Sequence, residues 1–305
     1  EMEINEKRGE FNRESEIPLT NFRGIELRSF SVEIARLSLI ITKYQCDVIY
    51  LGQREALNML LPLKEMNWIT CGNALEIDWK QVCPPYGFES NSSSNNLFDS
   101  IKEKSSVDFQ NEGGETYICG NPPYKGKRYQ TTLQKKDLKN ALGKDFKNFG
   151  NLDYISGWFF KASELTKDKR YRCAFVTTSS ICEGQQVSIL WPKILKNGNR
   201  ISFAYRPFKW KNLAKSNSAV TVVIIGIDNN LSSEALLYEE DLNGQISKKV
   251  PNINAYLVAS KNIYISKSNS SLFGLKEMVM GEKLTDGGNL IFSQNEYKNL
   301  TQKYP

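Results

Sequence analysis

Apolar residues recur at helical spacing from Ser31 to about Tyr50. Val32, Ile34, Ala35, Leu37, Leu39, Ile40 and Ile41 occupy so much of the helix circumference that the pattern predicts a largely buried helix. Around it the pattern shortens to strands. Residues 22–27 predict a short strand near the acid Glu26, and Trp68–Cys71 a second, closed by Gly72-Asn73. Tyr117–Cys119 predicts a third, running straight into Gly120-Asn-Pro-Pro-Tyr124. A helix is predicted over 153–166, where Tyr154, Trp158, Phe159, Phe160 and Ala162 mix aromatic and small residues. Arg172–Thr177 is a continuous apolar run of the kind found in sheets covered on both faces, and 201–205 and 219–227 predict two further strands. Strands alternating with helices point to an α/β sheet.

Two stretches break the pattern. Residues 87–116, with Asn91-Ser-Ser-Ser-Asn-Asn96 and Gly113-Gly114, read as a polar, loop-like insertion. Beyond about 245 the pattern turns irregular, and a second domain is expected from 248, leaving 1–247 as the first. No internal repeat is present at solenoid periods.

The chain has 305 residues, 40% hydrophobic and 24% charged, which fits a soluble globular class. No run of about 18 apolar residues and no apolar N-terminal stretch occurs, so a cytoplasmic protein without a membrane partner is expected. Cysteines stand at 46, 71, 83, 119, 173 and 182 with no C-x-x-C pair, and buried free thiols are the expectation. Histidine is absent altogether, which excludes Ser-His-Asp triads, Cys-His pairs and imidazole metal ligands; no metal site is expected. Chemistry must run on carboxylates, amides, backbone carbonyls or a cofactor.

Charge is concentrated. Lys125, Lys127, Arg128, Lys135, Lys136, Lys139, Lys144 and Lys147 face only Asp137 and Asp145, an excess of six that equals the net charge of the whole chain. A solvated helical face and a phosphate-contacting surface are both open for this stretch; adjacency to a catalytic loop favours the second for Lys125, Lys127, Arg128, Lys135 and Lys136.

That loop is Asn121-Pro122-Pro123-Tyr124, directly after a strand. A Pro-Pro turn without chemistry is the bland alternative. The chemical one rests on the poor nucleophilicity of an amine conjugated to an aromatic base. Two acceptors placed on its hydrogens draw it toward tetrahedral geometry and return the lone pair to nitrogen. The carboxamide oxygen of Asn121 and the carbonyl of Pro122 supply them. Proline has no N–H to compete and a fixed φ. Tyr124 offers a flat face for stacking.

The loop resembles motif IV of amino-group DNA methyltransferases, with asparagine first as in the adenine-specific branch. The wider chain is similar to the MmeI-like type II restriction–modification family. The likeness rests on Phe22-Arg-Gly-Ile-Glu26, Cys71-Gly-Asn-Ala-Leu-Glu-Ile-Asp-Trp79, Gly120-Asn-Pro-Pro-Tyr124, Gly150-Asn-Leu-Asp-Tyr154, Ala174-Phe-Val-Thr-Thr-Ser-Ser-Ile181, Glu183-Gly-Gln-Gln186, Phe203-Ala-Tyr-Arg-Pro-Phe-Lys-Trp210 and Asn252-Ile-Asn-Ala-Tyr-Leu257. It implies a Rossmann-like class I methyltransferase sheet of order 3-2-1-4-5-7-6 and the start of a target-recognition domain. It implies S-adenosyl-L-methionine as cofactor and double-stranded DNA as partner, with the base flipped out because the amine cannot reach the methyl donor inside the duplex.

By the same resemblance, Asn121, Pro122, Pro123 and Tyr124 form the catalytic loop, and Glu26 binds the cofactor ribose; a solvated strand-end glutamate is its alternative. Asn73, with Ala74 beside it, takes the position that contacts the cofactor adenine; the family often has aspartate there, and a turn-forming Asn after Gly72 is the other reading. Phe208 or Trp210 supplies a second aromatic against the extruded base, with a core role open for either.

The family's glycine-rich D-P-A-C-G-S-G loop does not occur in the sequence; by order it belongs just upstream of Glu1. The chain therefore reads as an excerpt whose sheet lacks its first strand, and weak cofactor binding by the isolated chain is expected. A protein-glutamine methyltransferase using the same loop, and a non-catalytic DNA-binding piece, are the competing readings.

Overall fold

The computed structural model describes residues 2–9, 17–60, 68–84, 114–143, 146–210, 220–231, 233–241, 244–266, 268, 274 and 292–303. Most of the expected 87–116 insertion lies outside the described residues. The chain divides into two compact units, Glu1–Ile265 and Ser266–Pro305.

The first unit is α/β. Among the described residues, helices α1 (Met2–Lys7), α2 (Ser29–Leu51), α3 (Gln53–Leu60), α4 (Trp79–Val82), α5 (Thr132–Leu142), α6 (Ser156–Leu165) and α7 (Gly184–Ile194) are interspersed with eight strands. These are β1 (Gly24–Glu26), β2 (Ile69–Cys71), β3 (Thr116–Gly120), β4 (Tyr171–Thr178), β5 (Arg200–Trp210), β6 (Val220–Asp228), β7 (Ala235–Asp241) and β8 (Gly244–Val250). Strands β1 and β2 pair in parallel as a two-stranded sheet; the others form a mixed sheet of order β3-β4-β6-β5-β7-β8. Among the described residues no strand joins β1 to β3. Within each sheet the pairings β2-β1 and β3-β4-β6-β5 are those of the expected order.

The core lies where α6 and α7 cover the mixed sheet. Leu152, Ile155, Phe159, Leu190, Trp191 and Ile194 are fully buried against Phe175 and Ile225. Phe159 sits edge-on to Phe175 at 5.2 Å, and the Trp191 indole donates to the Ile181 carbonyl at 2.8 Å, so the large ring is buried with its polar atom satisfied. Gly157 marks a close contact: a Cβ there would stand 2.8 Å from Leu75 and 3.2 Å from Leu138, so any larger residue would push both leucine side chains aside.

Three expectations are corrected. Helix α2 is not largely buried: only Val32 and Asp47 are buried, while Phe30, Ile34, Leu37, Ile41 and Ile49 are exposed. It rests on β1, β2 and α3, and one contact side cannot cover apolar residues spread around the helix. Cys46, Cys71 and Cys119 are exposed and only Cys173 and Cys182 buried: Cys46 lies on the exposed helix α2, Cys71 ends β2, and Cys119 shares the exposed face of β3 with Tyr117. The sheet also extends past β5 by the hairpin β7–β8, which the apolar pattern did not mark; Glu239, Glu240, Lys248 and Lys249 give it a solvent face.

Asn252–Leu257 packs into the first unit, with Ile253, Ala255 and Leu257 buried and Ile253 bridging to Ile201. Leu257 takes φ 56°, held by a turn in which the Asn254 side chain accepts from the N–H groups of Tyr256 and Val258. In the second unit, helix α8 (Gln294–Lys303) starts on a reciprocal cap between Ser293 and Glu296.

Candidate active site

Strands β3, β4 and β5 run in one direction, so their carboxyl ends share one edge of the mixed sheet. The register runs from Gly120 to Phe175, Ile225 and Ala204. Asn121–Tyr124 leaves that edge from β3, Ser179–Cys182 from β4, and Phe208 and Trp210 end β5. Ligands of open α/β sheets bind at such an edge.

Within the loop, Asn121 is exposed, Pro122 buried, Pro123 exposed and Tyr124 half-buried. The Tyr124 hydroxyl donates to the Asn121 side-chain oxygen. Burial pushes the Tyr124 phenol up from its usual range, so it remains a protonated donor at neutral pH.

The segment just past the loop is clamped. The Lys125 carbonyl accepts from the Tyr154 N–H at 2.9 Å and from the buried Gln130 amide at 3.1 Å, and the same amide donates to Leu152 O at 2.9 Å. The buried Asp153 carboxylate accepts from Lys127 N at 3.3 Å, Ser180 Oγ at 2.7 Å and Gln186 Nε2 at 2.7 Å, while its own N–H donates to Gln186 Oε1 at 3.1 Å. Thr131 and Gln134 then form a capping box that starts α5. Asp153, Ser180, Gln186 and Gln130 were given no role from the sequence. The first three lie inside family-like segments, but a single acid ahead of an aromatic helix carries no local signal of partners about thirty residues away.

The positions expected to hold the cofactor lie at the carboxyl ends of the other sheet. Glu26 ends β1, is exposed, and no hydrogen bond engages its carboxylate among the described residues. That suits a ribose diol. Asn73 differs: its amide donates to Asp137 Oδ2 at 3.0 Å and its oxygen accepts from Leu75 N at 3.0 Å, the turn-forming arrangement. Tyr154 O–H donates to the same Asp137 oxygen at 3.0 Å. Half-buried Lys161 donates to the carbonyls of Leu75 and Ile77 at 3.0 and 2.5 Å and lies 5.5 Å over the Trp79 ring, whose N–H holds Ala74 O at 2.8 Å. The turn after β2 is thus fastened to α5 and α6 by side chains. Glu26 leaves a carboxylate available to a ligand's hydroxyls, whereas the Asn73 side chain is already satisfied by the protein.

At the end of β5, Phe208 pairs with Val222 across from Thr178, level with the base of the loop, but β4 and β6 separate β5 from β3 by roughly 14 Å at ladder spacing. Phe208 is half-buried, lies 6.4 Å from the partly exposed Trp210 ring and 6.3 Å from Tyr205, and Tyr205 stacks on Tyr238 at 4.4 Å. The sequence marked the outer pair of this row and not the inner one. Lys125, Lys127, Arg128, Lys135 and Lys136 are all exposed, the first three directly past the loop and the last two on α5, with Lys127 reaching Asn151 at 3.1 Å.

The family model of the MmeI DNA-methyltransferase domain matches residues 1–239, more than three quarters of the chain. The chain belongs to the MmeI methyltransferase family. The model of the MmeI target recognition domain matches 259–305. "DNA methyltransferase A" of Bacillus subtilis (strain 168) is 35% identical over 314 residues, spanning 100% of this chain and 32% of that protein. The structure of the type IIL restriction–modification enzyme MmeI in complex with DNA is similar over 95% of this chain and 35% of MmeI, with TM-score 0.74 and 32% identity. The chain therefore spans about a third of the length of these relatives. No described helix is long and apolar enough to cross a membrane.

Proposed function

We propose that the protein transfers a methyl group to the exocyclic amine of an adenine extruded from double-stranded DNA, as the modification activity of a restriction–modification system in the cytoplasm. S-adenosylmethionine, the donor proposed, supplies an electrophilic sulfonium methyl. The observation that carries the reading is Asn121: an exposed carboxamide at the carboxyl end of β3, its oxygen already serving as an acceptor. Asn121 Oδ1 and the Pro122 carbonyl accept from the two amine hydrogens and return the lone pair to nitrogen. Tyr124, and Phe208 or Trp210, stack on the base. Glu26 accepts from the ribose hydroxyls, with the backbone at Asn73–Ala74 beside the adenine. Lys125, Lys127, Arg128, Lys135 and Lys136 contact phosphates and position the duplex. The target-recognition match favours DNA over a protein substrate.

The test uses the protein at its natural length with labelled S-adenosylmethionine and duplex DNA. Label is expected in N6-methyladenine after hydrolysis. Asn121→Ala is expected to abolish it while leaving the DNA dissociation constant within about threefold, since the loop's acceptors act on the amine and phosphate contacts carry affinity. Near-normal turnover by that variant, or label in methylcytosine or protein, defeats the reading.

A further inference from the structure

We infer that Asp153 is a positioning residue for the amine-binding loop, acting with Gln186 and Ser180. The inference rests on the methyl-transfer reading and adds to it the device that sets the loop's geometry.

Three chain segments meet on this carboxylate. One oxygen accepts from Lys127 N, three residues past Tyr124; the other accepts from Ser180 at the end of β4 and from Gln186 on α7. Asp153 and Gln186 bond reciprocally, backbone N–H to Oε1 and Nε2 to Oδ2, which fixes the carboxylate plane. Asp153 is 8% exposed and has no cationic partner among the described residues, so its acceptor capacity goes to holding backbone and neutral side chains. The next residue takes part as well, because Tyr154 N–H holds Lys125 O. Asn121 and Pro122 therefore hang between two anchors, the β3–β4 ladder at Gly120 and this bracket at 125–127. Neither of their acceptors touches Asp153. What the bracket governs is where those acceptors stand, and in-line transfer is sensitive to that: a displacement of about 1 Å costs on the order of 100-fold in rate.

Asp153→Asn keeps the volume and replaces one acceptor by an N–H₂ donor. In either amide orientation one of Lys127 N–H, or the Ser180 and Gln186 donors, faces a donor. The double variant Asp153→Asn with Gln186→Glu reverses the polarity of the pair while conserving net charge. The side-chain amide and the backbone N–H at position 153 then both donate to the new carboxylate, and the amide oxygen still accepts from Lys127.

The experiment measures single-turnover methyl transfer at saturating DNA and S-adenosylmethionine, alongside DNA affinity, in the protein at its natural length. Asp153→Asn is expected to lower the rate about 100-fold with the dissociation constant within about threefold, and the double variant to recover at least tenfold. Ser180→Ala, which removes one half-buried donor, is expected to lose about tenfold and decides the matter if Asp153→Asn does not fold. Wild-type rates in the variants that fold, losses of rate and affinity in equal measure, or a double variant no better than Asp153→Asn overturn the inference. Asn121→Ala runs in parallel: if it remains active, the methyl-transfer reading itself fails; if it is dead while Asp153→Asn is normal, only the bracket fails.

Discussion

The Tyr124 hydroxyl rests on the Asn121 oxygen, the same acceptor that the amine of the proposed reaction needs, so in that reaction the ring and the hydroxyl of this residue have opposed effects. The ring offers a stacking face, worth about 1–3 kcal/mol per base. The hydroxyl must give up its bond before the amine can take the acceptor. Tyr124→Phe is therefore expected to transfer methyl at a rate equal to wild type or up to about threefold higher, and Tyr124→Ala to lose about 10- to 100-fold in kcat/KM, both read in initial-rate assays. The phenol titrates above its usual value in the folded protein. A raised value means the donor is present below the unfolded pKa, about 10, and lost only as pH rises through the folded one. Wild-type and Tyr124→Phe pH profiles should thus keep the same shape up to about pH 9. At this scale the sequence was legible where residues are adjacent: the strand expected to run into Asn121-Pro-Pro-Tyr124 is β3, and the loop leaves its carboxyl end. The sequence offered the turn-forming role of Asn73 as one of two readings but not the bond of its amide to Asp137 across 64 positions, and it gave Asp153 no role, because partners brought by tertiary packing leave no periodic trace.

Elements repeat that division. β4 and β6 were legible because their residues run largely apolar and β4 buries every second one, whereas β7 and β8 border solvent and carry charges that hide the strand period. Helix α2 shows the converse: its periodicity specified a helix correctly and its burial wrongly, since periodicity reports where apolar residues fall and not what covers them. Between α6 and the turn after β2, Lys161 is the main polar fastening: one ammonium serves two carbonyls and caps Trp79, with burial lowering its pKa. Lys161→Met keeps the stem's packing and leaves both carbonyls without that donor. Allowing for a side chain that is only half-buried, a loss of about 1–2 kcal/mol is expected. At about 2–4 °C per kcal/mol, this appears as a Tm drop of a few degrees in thermal melts. An unchanged Tm would mean that water replaces the ammonium at no cost.

For the whole first unit, the decisive feature is that its sheet comes in two parts. Glu26 and the Asn73 turn belong to β1–β2, and Asn121 and Pro122 follow β3 of the mixed sheet, so the S-adenosylmethionine of the proposed reaction, reaching from Glu26 to Asn121, must touch both. Among the described residues no ladder joins the parts; Lys161, Asp137 and the packing of Leu75 on Gly157 do. Each of these part-buried bonds has one charged partner, Lys161 or Asp137, and contributes about 1–2 kcal/mol, while permitting adjustments that a continuous ladder would forbid. A ligand that must fix the two parts pays that ordering from its own contacts. Isothermal titration of S-adenosylmethionine into the isolated 305-residue chain is accordingly expected to give a dissociation constant of about 1 mM or weaker, equivalent to about 4 kcal/mol at most. Saturation in the micromolar range would require about 8 kcal/mol from Glu26 and the neighbouring backbone. That result would show that the side-chain fastenings alone hold the two sheets in their binding arrangement.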